Sequence, residues 1–102
     1  MVDGCGFLNE GLARVKLNRK WNFIDKNGKI LSPNQWFDNV FDFYEGFAWV
    51  ILNGKGNYVD KNGKLLSPNQ WFDECCEFNN GFAIVNLNGK WKYITENGNL
   101  IK

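Results

Sequence analysis

The residue types that most often carry chemistry are scarce in this chain, and their spacing argues against catalysis. Histidine is absent, which removes the usual general base near neutral pH, a common zinc ligand and the Ser-His or Cys-His nucleophile pair. The side-chain hydroxyls belong to Ser32, Ser67, Thr95 and three tyrosines, and both serines precede a proline, as turn residues do. Cys5, Cys75 and Cys76 lack the spaced pair of pairs that a zinc site needs and make a poor disulfide framework. Cys5 and Cys75 fall in register with Val40, so they read as small apolar core side chains.

Carboxylates offer two further candidates. Asp25-x-Asn27-Gly28 has the start of a calcium loop without its later ligands or terminal glutamate, and a β-turn requires the same residues. Asp38 and Asp73 are a conceivable glycosidase pair, but that chemistry needs two carboxyls in unlike environments. Asp3, Asp38 and Asp73 lie 35 residues apart. They should therefore share one environment, bonded to backbone N–H groups of a connector. The expectation is a protein that is not an enzyme and holds no cofactor and no metal.

Twelve Lys and Arg oppose eleven Asp and Glu. Without a basic excess, nucleic-acid binding is not expected. Aromatic residues make up 17% of the chain, enough to build a core from buried rings. The longest apolar run, Phe47 to Leu52, is too short to span a bilayer. The start, Met1 to Cys5, lacks the pattern of a signal peptide. A reducing cytoplasm is the expected location.

The elements that position these residues follow from an internal repeat. Residues 11–45 and 46–80 are identical at 21 of 35 positions, 81–102 begins a third copy, and 1–10 is a partial one. Within a copy the code is that of hairpins. Leu12 to Leu17 alternates, with Ala13, Val15 and Leu17 on one face and Leu12, Arg14 and Lys16 on the other. Turns follow at Asn18-Arg19, Asn53-Gly54 and Asn88-Gly89, as two-residue type I′ geometry prefers. The returning strands are Lys20 to Asp25, Lys55 to Asp60 and Lys90 to Thr95. Second turns fall at Asn27-Gly28, Asn62-Gly63 and Asn97-Gly98, and a short third strand leads to Ser-Pro. Pro33 to Tyr44 is expected to be a buried connector, as a loop or a short helical turn. The fold class is all-β: tandem three-stranded antiparallel meanders, joined by aromatic connectors and stacked into one small domain.

These residues resemble the WG-repeat family of short repeats with a Trp-Gly dipeptide. The matching stretches are Glu45-Gly46-Phe47-Ala48, Asn88-Gly89-Lys90-Trp91 and Tyr58-Val59-Asp60-Lys61-Asn62-Gly63-Lys64, followed by proline and an aromatic-Asp pair. The dipeptide itself reads Trp21-Asn22, Gly56-Asn57 and Trp91-Lys92, so its glycine is absent. The resemblance implies a β-rich interaction or structural module, often within larger bacterial proteins, with no shared catalytic residue.

The copies disagree at one surface. Two-residue turns place Trp49 opposite Tyr58 and Ile51 opposite Gly56, Arg14 opposite Phe23, Lys16 opposite Trp21, and Asn86 opposite Trp91. The middle copy thus exchanges its family tryptophan for Gly56 and gains Trp49 and Ile51 on the same face. Either Trp49 refills the space left by Gly56, or Trp49, Ile51 and Tyr58 form an exposed patch flanked by Arg14, Lys16 and Tyr44. Phe47 to Leu52 is uncharged and strand-prone, so it must be central, covered or used in assembly. The expected function is protein–protein interaction, as an adaptor or an inhibitor masking a larger protein in a phage or host-defence setting. Homodimerisation is also expected from the truncated repeats. Glycan binding through exposed Trp and Tyr is the alternative.

Overall fold

A computed structural model describes the backbone of residues 4–5 and 9–101 and the side chains of 9–101; Asp3 and the side chain of Cys5 lie outside them. Ten strands run in the described chain, with no helix. They are β1 (Gly4–Cys5), β2 (Leu12–Leu17), β3 (Lys20–Asp25), β4 (Asn39–Tyr44) and β5 (Phe47–Leu52). After them come β6 (Lys55–Asp60), β7 (Glu74–Cys75), β8 (Phe82–Leu87), β9 (Lys90–Thr95) and β10 (Leu100–Ile101). Three antiparallel sheets result, in the orders β1-β2-β3, β4-β5-β6 and β10-β9-β8-β7. None of the described segments is a helix long and apolar enough to cross a membrane.

The six hairpin strands have the bounds and the register that the repeat predicts, including Trp49 opposite Tyr58 and Asn86 opposite Trp91. Both central residues of each hairpin turn have positive φ: Asn18 and Arg19, Asn53 and Gly54, Asn88 and Gly89. Arg19, at φ 69°, stands where the other copies use glycine and bears a left-handed strain of about 1 kcal/mol. The Asp-Lys-Asn-Gly segment is a turn. Asp25 Oδ1 accepts from the N–H groups of Asn27 and Lys29, both at 2.9 Å, and Asp60 repeats the pattern.

The connector departs from expectation. Its second half is strand β4, paired to β5 with a bulge between Val40 and Phe43, and Phe37 makes two backbone hydrogen bonds with Trp21. A type I′ turn with positive φ at Glu45 and Gly46 joins β4 to β5, and Glu10-Gly11 and Asn80-Gly81 repeat it. The meander is consequently phased one strand earlier than the sequence suggests. The expected third strand shrinks to single bridges, Ile24 to Ile30 and Val59 to Leu65, in the first two copies.

Successive sheets pack through two apolar clusters. The first gathers Leu12 and Phe23 from the first sheet with Phe37, Val40, Phe43, Ala48, Val50 and Val59. The second gathers Tyr58 with Phe72, Cys75, Phe78, Ala83, Val85 and Ile94. In each, one ring from the preceding copy enters a layer made by the next. Phe23 meets Phe43 edge-on at 4.8 Å between centroids, and Tyr58 meets Phe78 at 5.0 Å. The stack is elongated, 42 × 26 × 19 Å.

Polar links follow the same rule. Glu10 Oε2 and Oε1 accept from the N–H groups of Glu45 and Gly46 at 2.7 and 2.9 Å. Glu45 accepts in turn from Asn80 and Gly81 at 2.7 and 2.8 Å. Each carboxylate therefore holds the strained left-handed turn of the copy above it, as successive backbone N–H groups hold an anion. Asp38 accepts from the Asn53 N–H and Asp73 from the Asn88 N–H, and these acids pair with Lys20 and Lys55. Asp38 and Asp73 do share one environment, but it is the following hairpin's turn and not the connector.

Candidate protein-interaction surface

The six residues singled out from sequence do not form one exposed patch. Tyr58 is fully buried, which corrects its placement on a surface. The face it shares with Trp49 turns onto the third copy, so the ring sits in the second cluster and its hydroxyl donates to the Cys76 carbonyl. Burial, then the neighbouring Cys75, pushes the Tyr58 phenol well above its ordinary range. Trp49 is half-buried, packs against the same cluster and stacks on Phe41 at 4.1 Å. Ile51 is half-buried as well.

Refilling around Gly56 explains the middle copy. A Cβ on Gly56 would stand 2.6 Å from Cys75 Sγ and 3.2 Å from Trp49 Nε1. Cys75 and Trp49 thus occupy the room that a tryptophan at 56 would need. Trp49 Nε1 is left buried with no hydrogen-bond acceptor among the described residues. In the first copy the matching space holds Trp21, with the Arg14 guanidinium 5.8 Å and the Lys16 ammonium 5.6 Å from its ring centre. Arg14 Nε also lies 3.2 Å from Asp42 Oδ1, an ion pair without hydrogen-bond alignment. Arg14, Tyr44 and Trp49 do come together, lining a groove of about 390 Å³ with Phe47, Cys76 and Glu77. Lys16, Ile51 and Tyr58 are not part of it.

Cys75 behaves as a core side chain. Burial pushes its thiol up to about 12, against a hydrogen bond with Tyr58 that works the other way. At neutral pH it is therefore a thiol and a weak nucleophile. Among the described residues no three acids or cysteines gather as metal ligands.

The exposed aromatic surface lies one copy further on. Phe82, Ile84, Trp91 and Tyr93 occupy, on the third sheet, the positions of Phe47, Trp49, Gly56 and Tyr58 on the second. They are 41 to 55% exposed, whereas Tyr58 is at 0%. Ile101, paired with Tyr93 and 44% exposed, extends the row. Phe82 and Tyr93 meet edge-on at 6.2 Å, above a groove of about 420 Å³ that also involves Cys76 and Ala83. These five side chains uncover on the order of 400 Å² of largely apolar surface, the size of the largest patch on a typical monomer. The signal that could have located it is Trp91, which keeps the family tryptophan at the register where the middle copy has glycine.

Stacked antiparallel units, linked ring to layer and carboxylate to turn, define a tandem β-repeat protein. The family model described as "WG containing repeat" matches residues 2–21, 23–55 and 58–91, and the chain belongs to that family. No curated protein and no solved structure matches it.

Proposed function

We propose that the protein is a non-catalytic protein–protein interaction module, an adaptor or a masking inhibitor, that docks its partner on the uncovered face of the third sheet. The observation that carries this reading is the exposure of Phe82, Ile84, Trp91 and Tyr93 where the same face of the preceding sheet is covered. Tryptophan and tyrosine are favoured anchors at interfaces, since each buries a large rigid surface at low entropic cost. The protonated thiol of Cys75 and the absence of histidine support a role without covalent chemistry.

The test compares the wild-type chain with Trp91→Ser/Tyr93→Ser in quantitative affinity capture from source cells, beside a glycan array. A protein retained by the wild type and released by the variant, at matched circular dichroism, is the expected result. Equal retention by both would refute the surface. Glycan binding that depends on Trp91 would replace the partner class.

A further inference from the structure

Between the first two copies the chain places its own cation beside a ring and an acid. The Arg14 guanidinium lies 5.8 Å from the centre of the Trp21 ring, and its Nε is 3.2 Å from Asp42 Oδ1. Between the second and third copies the acid is kept and the cation is not. Glu77 stands 35 residues after Asp42, but Trp49 takes the position of Arg14 and Gly56 that of Trp21. Glu77 is exposed, and its side chain makes no hydrogen bond or ion pair among the described residues. It lines the groove of about 390 Å³ together with Phe41, Tyr44, Phe47 and Trp49. We propose that this groove binds a small quaternary ammonium ion, which supplies from solution the charge that Arg14 supplies one copy earlier.

The aromatic walls are already in place. Phe41 stacks on Trp49 at 4.1 Å between centroids, and Phe47 stacks on Phe78 at 4.6 Å. Tyr44 is 42% exposed and has no ring partner among the described residues. Aromatic rings attract a cation through their quadrupole, more strongly where water is excluded. The groove's volume also falls among those of small-molecule sites, roughly 300–1,000 Å³.

Charge and donor count then select the ligand. Among the described residues, the charged groups lining the groove are Arg14, Asp42 and Glu77. Arg14 and Asp42 face each other, which leaves the Glu77 carboxylate to attract a cation. Acceptors are few, because Asp42 is opposed by Arg14 and the Cys76 carbonyl already takes the Tyr58 hydroxyl. A primary ammonium would bring three N–H donors and leave some unmet as it lost water. A quaternary ammonium has no donor to satisfy, and its alkyl groups pack against rings. A phosphate or carboxylate on the same ligand would meet Asp42 and Glu77, so the ligand is a plain cation and not a zwitterion.

The test titrates isotope-labelled full-length chain with choline and with the neutral alcohol that has carbon in place of choline's nitrogen, followed by NMR. Choline should shift the Trp49 indole N–H and the Cys76 and Glu77 amides, and the shifts should saturate. The neutral alcohol should bind about tenfold more weakly, and Glu77→Gln should weaken choline by about tenfold, as the loss of one charge partner would. Tyr44→Ala, a change at an exposed side chain, should weaken choline as well. Absence of saturable shifts at these signals would overturn the proposal. So would equal binding of the neutral alcohol, unchanged choline affinity in Glu77→Gln, or methylammonium or phosphocholine binding as tightly as choline. No residue of this groove is altered in the capture experiment on Trp91 and Tyr93, so the two readings fail separately.

Discussion

Replacing Asn22 with alanine should remove a large share of the stability of this fold. Asn22 is fully buried and follows the tryptophan of the family dipeptide, where glycine is the family residue. Its Nδ2 donates to the Ser32 carbonyl at 2.7 Å. Its Oδ1 accepts from the N–H groups of Phe23 at 2.8 Å and Ser32 at 3.1 Å. The side chain thus clamps the Ser-Pro corner to β3, and Asn57 does the same at Ser67 in the second copy. Alanine would orphan the N–H groups of Phe23 and Ser32, while the Ser32 carbonyl would keep only the Gln35 N–H at 3.1 Å. At about 1–3 kcal/mol for each buried group left unpaired, reduced because Ser32 keeps a little contact with water, the loss is about 3 kcal/mol. For a domain of this size that lowers Tm by roughly 15 °C. Lys92 is the internal control. It holds the same register in the third copy, is half-exposed, and its side chain makes no hydrogen bond or ion pair among the described residues, so Lys92→Ala should stay within about 0.5 kcal/mol. Urea unfolding followed by tryptophan fluorescence measures both. A loss below about 1 kcal/mol for Asn22→Ala, or equal losses for the two variants, would refute the clamp.

Trp49→Ala should destabilise by about 3 kcal/mol, as for a packed aromatic, and leave partner capture intact; lost capture at unchanged Tm would restore Trp49 as a surface anchor. Gly28→Ala meets no neighbour among the described residues and should cost about 1 kcal/mol for its left-handed φ alone, whereas Gly63→Ala must also displace the Leu31 carbonyl and should cost clearly more. Equal unfolding midpoints for that pair would contradict the close junction. Acid should loosen the stack. Burial opposes it, but the N–H groups of Gly46 and Glu45 and the Lys61 ammonium hold Glu10 below its ordinary 4.5. Lys20 and the Asn53 N–H lower Asp38, and Lys55 and the Asn88 N–H lower Asp73, below 3.8. Depressed folded values mean that the unfolded chain binds protons first. This stabilisation is present above pH 4.5 and is lost as pH falls through the folded values; a thermal midpoint flat from pH 5 down to pH 2 would contradict it.

The hairpins were legible because Asn-Gly turns and strict alternation fix both bounds and register, and a 35-residue period repeats the reading three times. Strand β4 was not. Its bulge between Val40 and Phe43 breaks the alternation over Asn39 to Tyr44, and its aromatic density resembles a buried connector. The turn at Glu45-Gly46 was missed because glutamate seldom takes a left-handed conformation unaided. The Glu10 carboxylate, 35 residues away, accepts from both N–H groups of that turn, a contact no local pattern signals. The third copy carried the clue, since Asn80-Gly81 is the ordinary turn signal in the same register. An exposed patch was one of two alternatives for the middle copy, where Tyr58 is in fact buried, while the equivalent Tyr93 is exposed: pairing across a strand is local, but which sheet is covered depends on the direction of stacking. That Tyr58 faces forward onto Phe78, and not back onto the first copy, is a tertiary fact.

The relay of carboxylates from one turn to the next has an evolutionary corollary. Because every junction joins a copy to its immediate successor in the same way, excising residues 36–70 would bring Glu10 to the Asn80-Gly81 turn and Phe23 to the layer around Phe78, remaking a junction from parts already shaped for it. Unequal recombination between copies can therefore lengthen or shorten such a protein in whole steps of 35 residues without inventing a new contact, and the gene has a cheap route to changing its reach while keeping its ends.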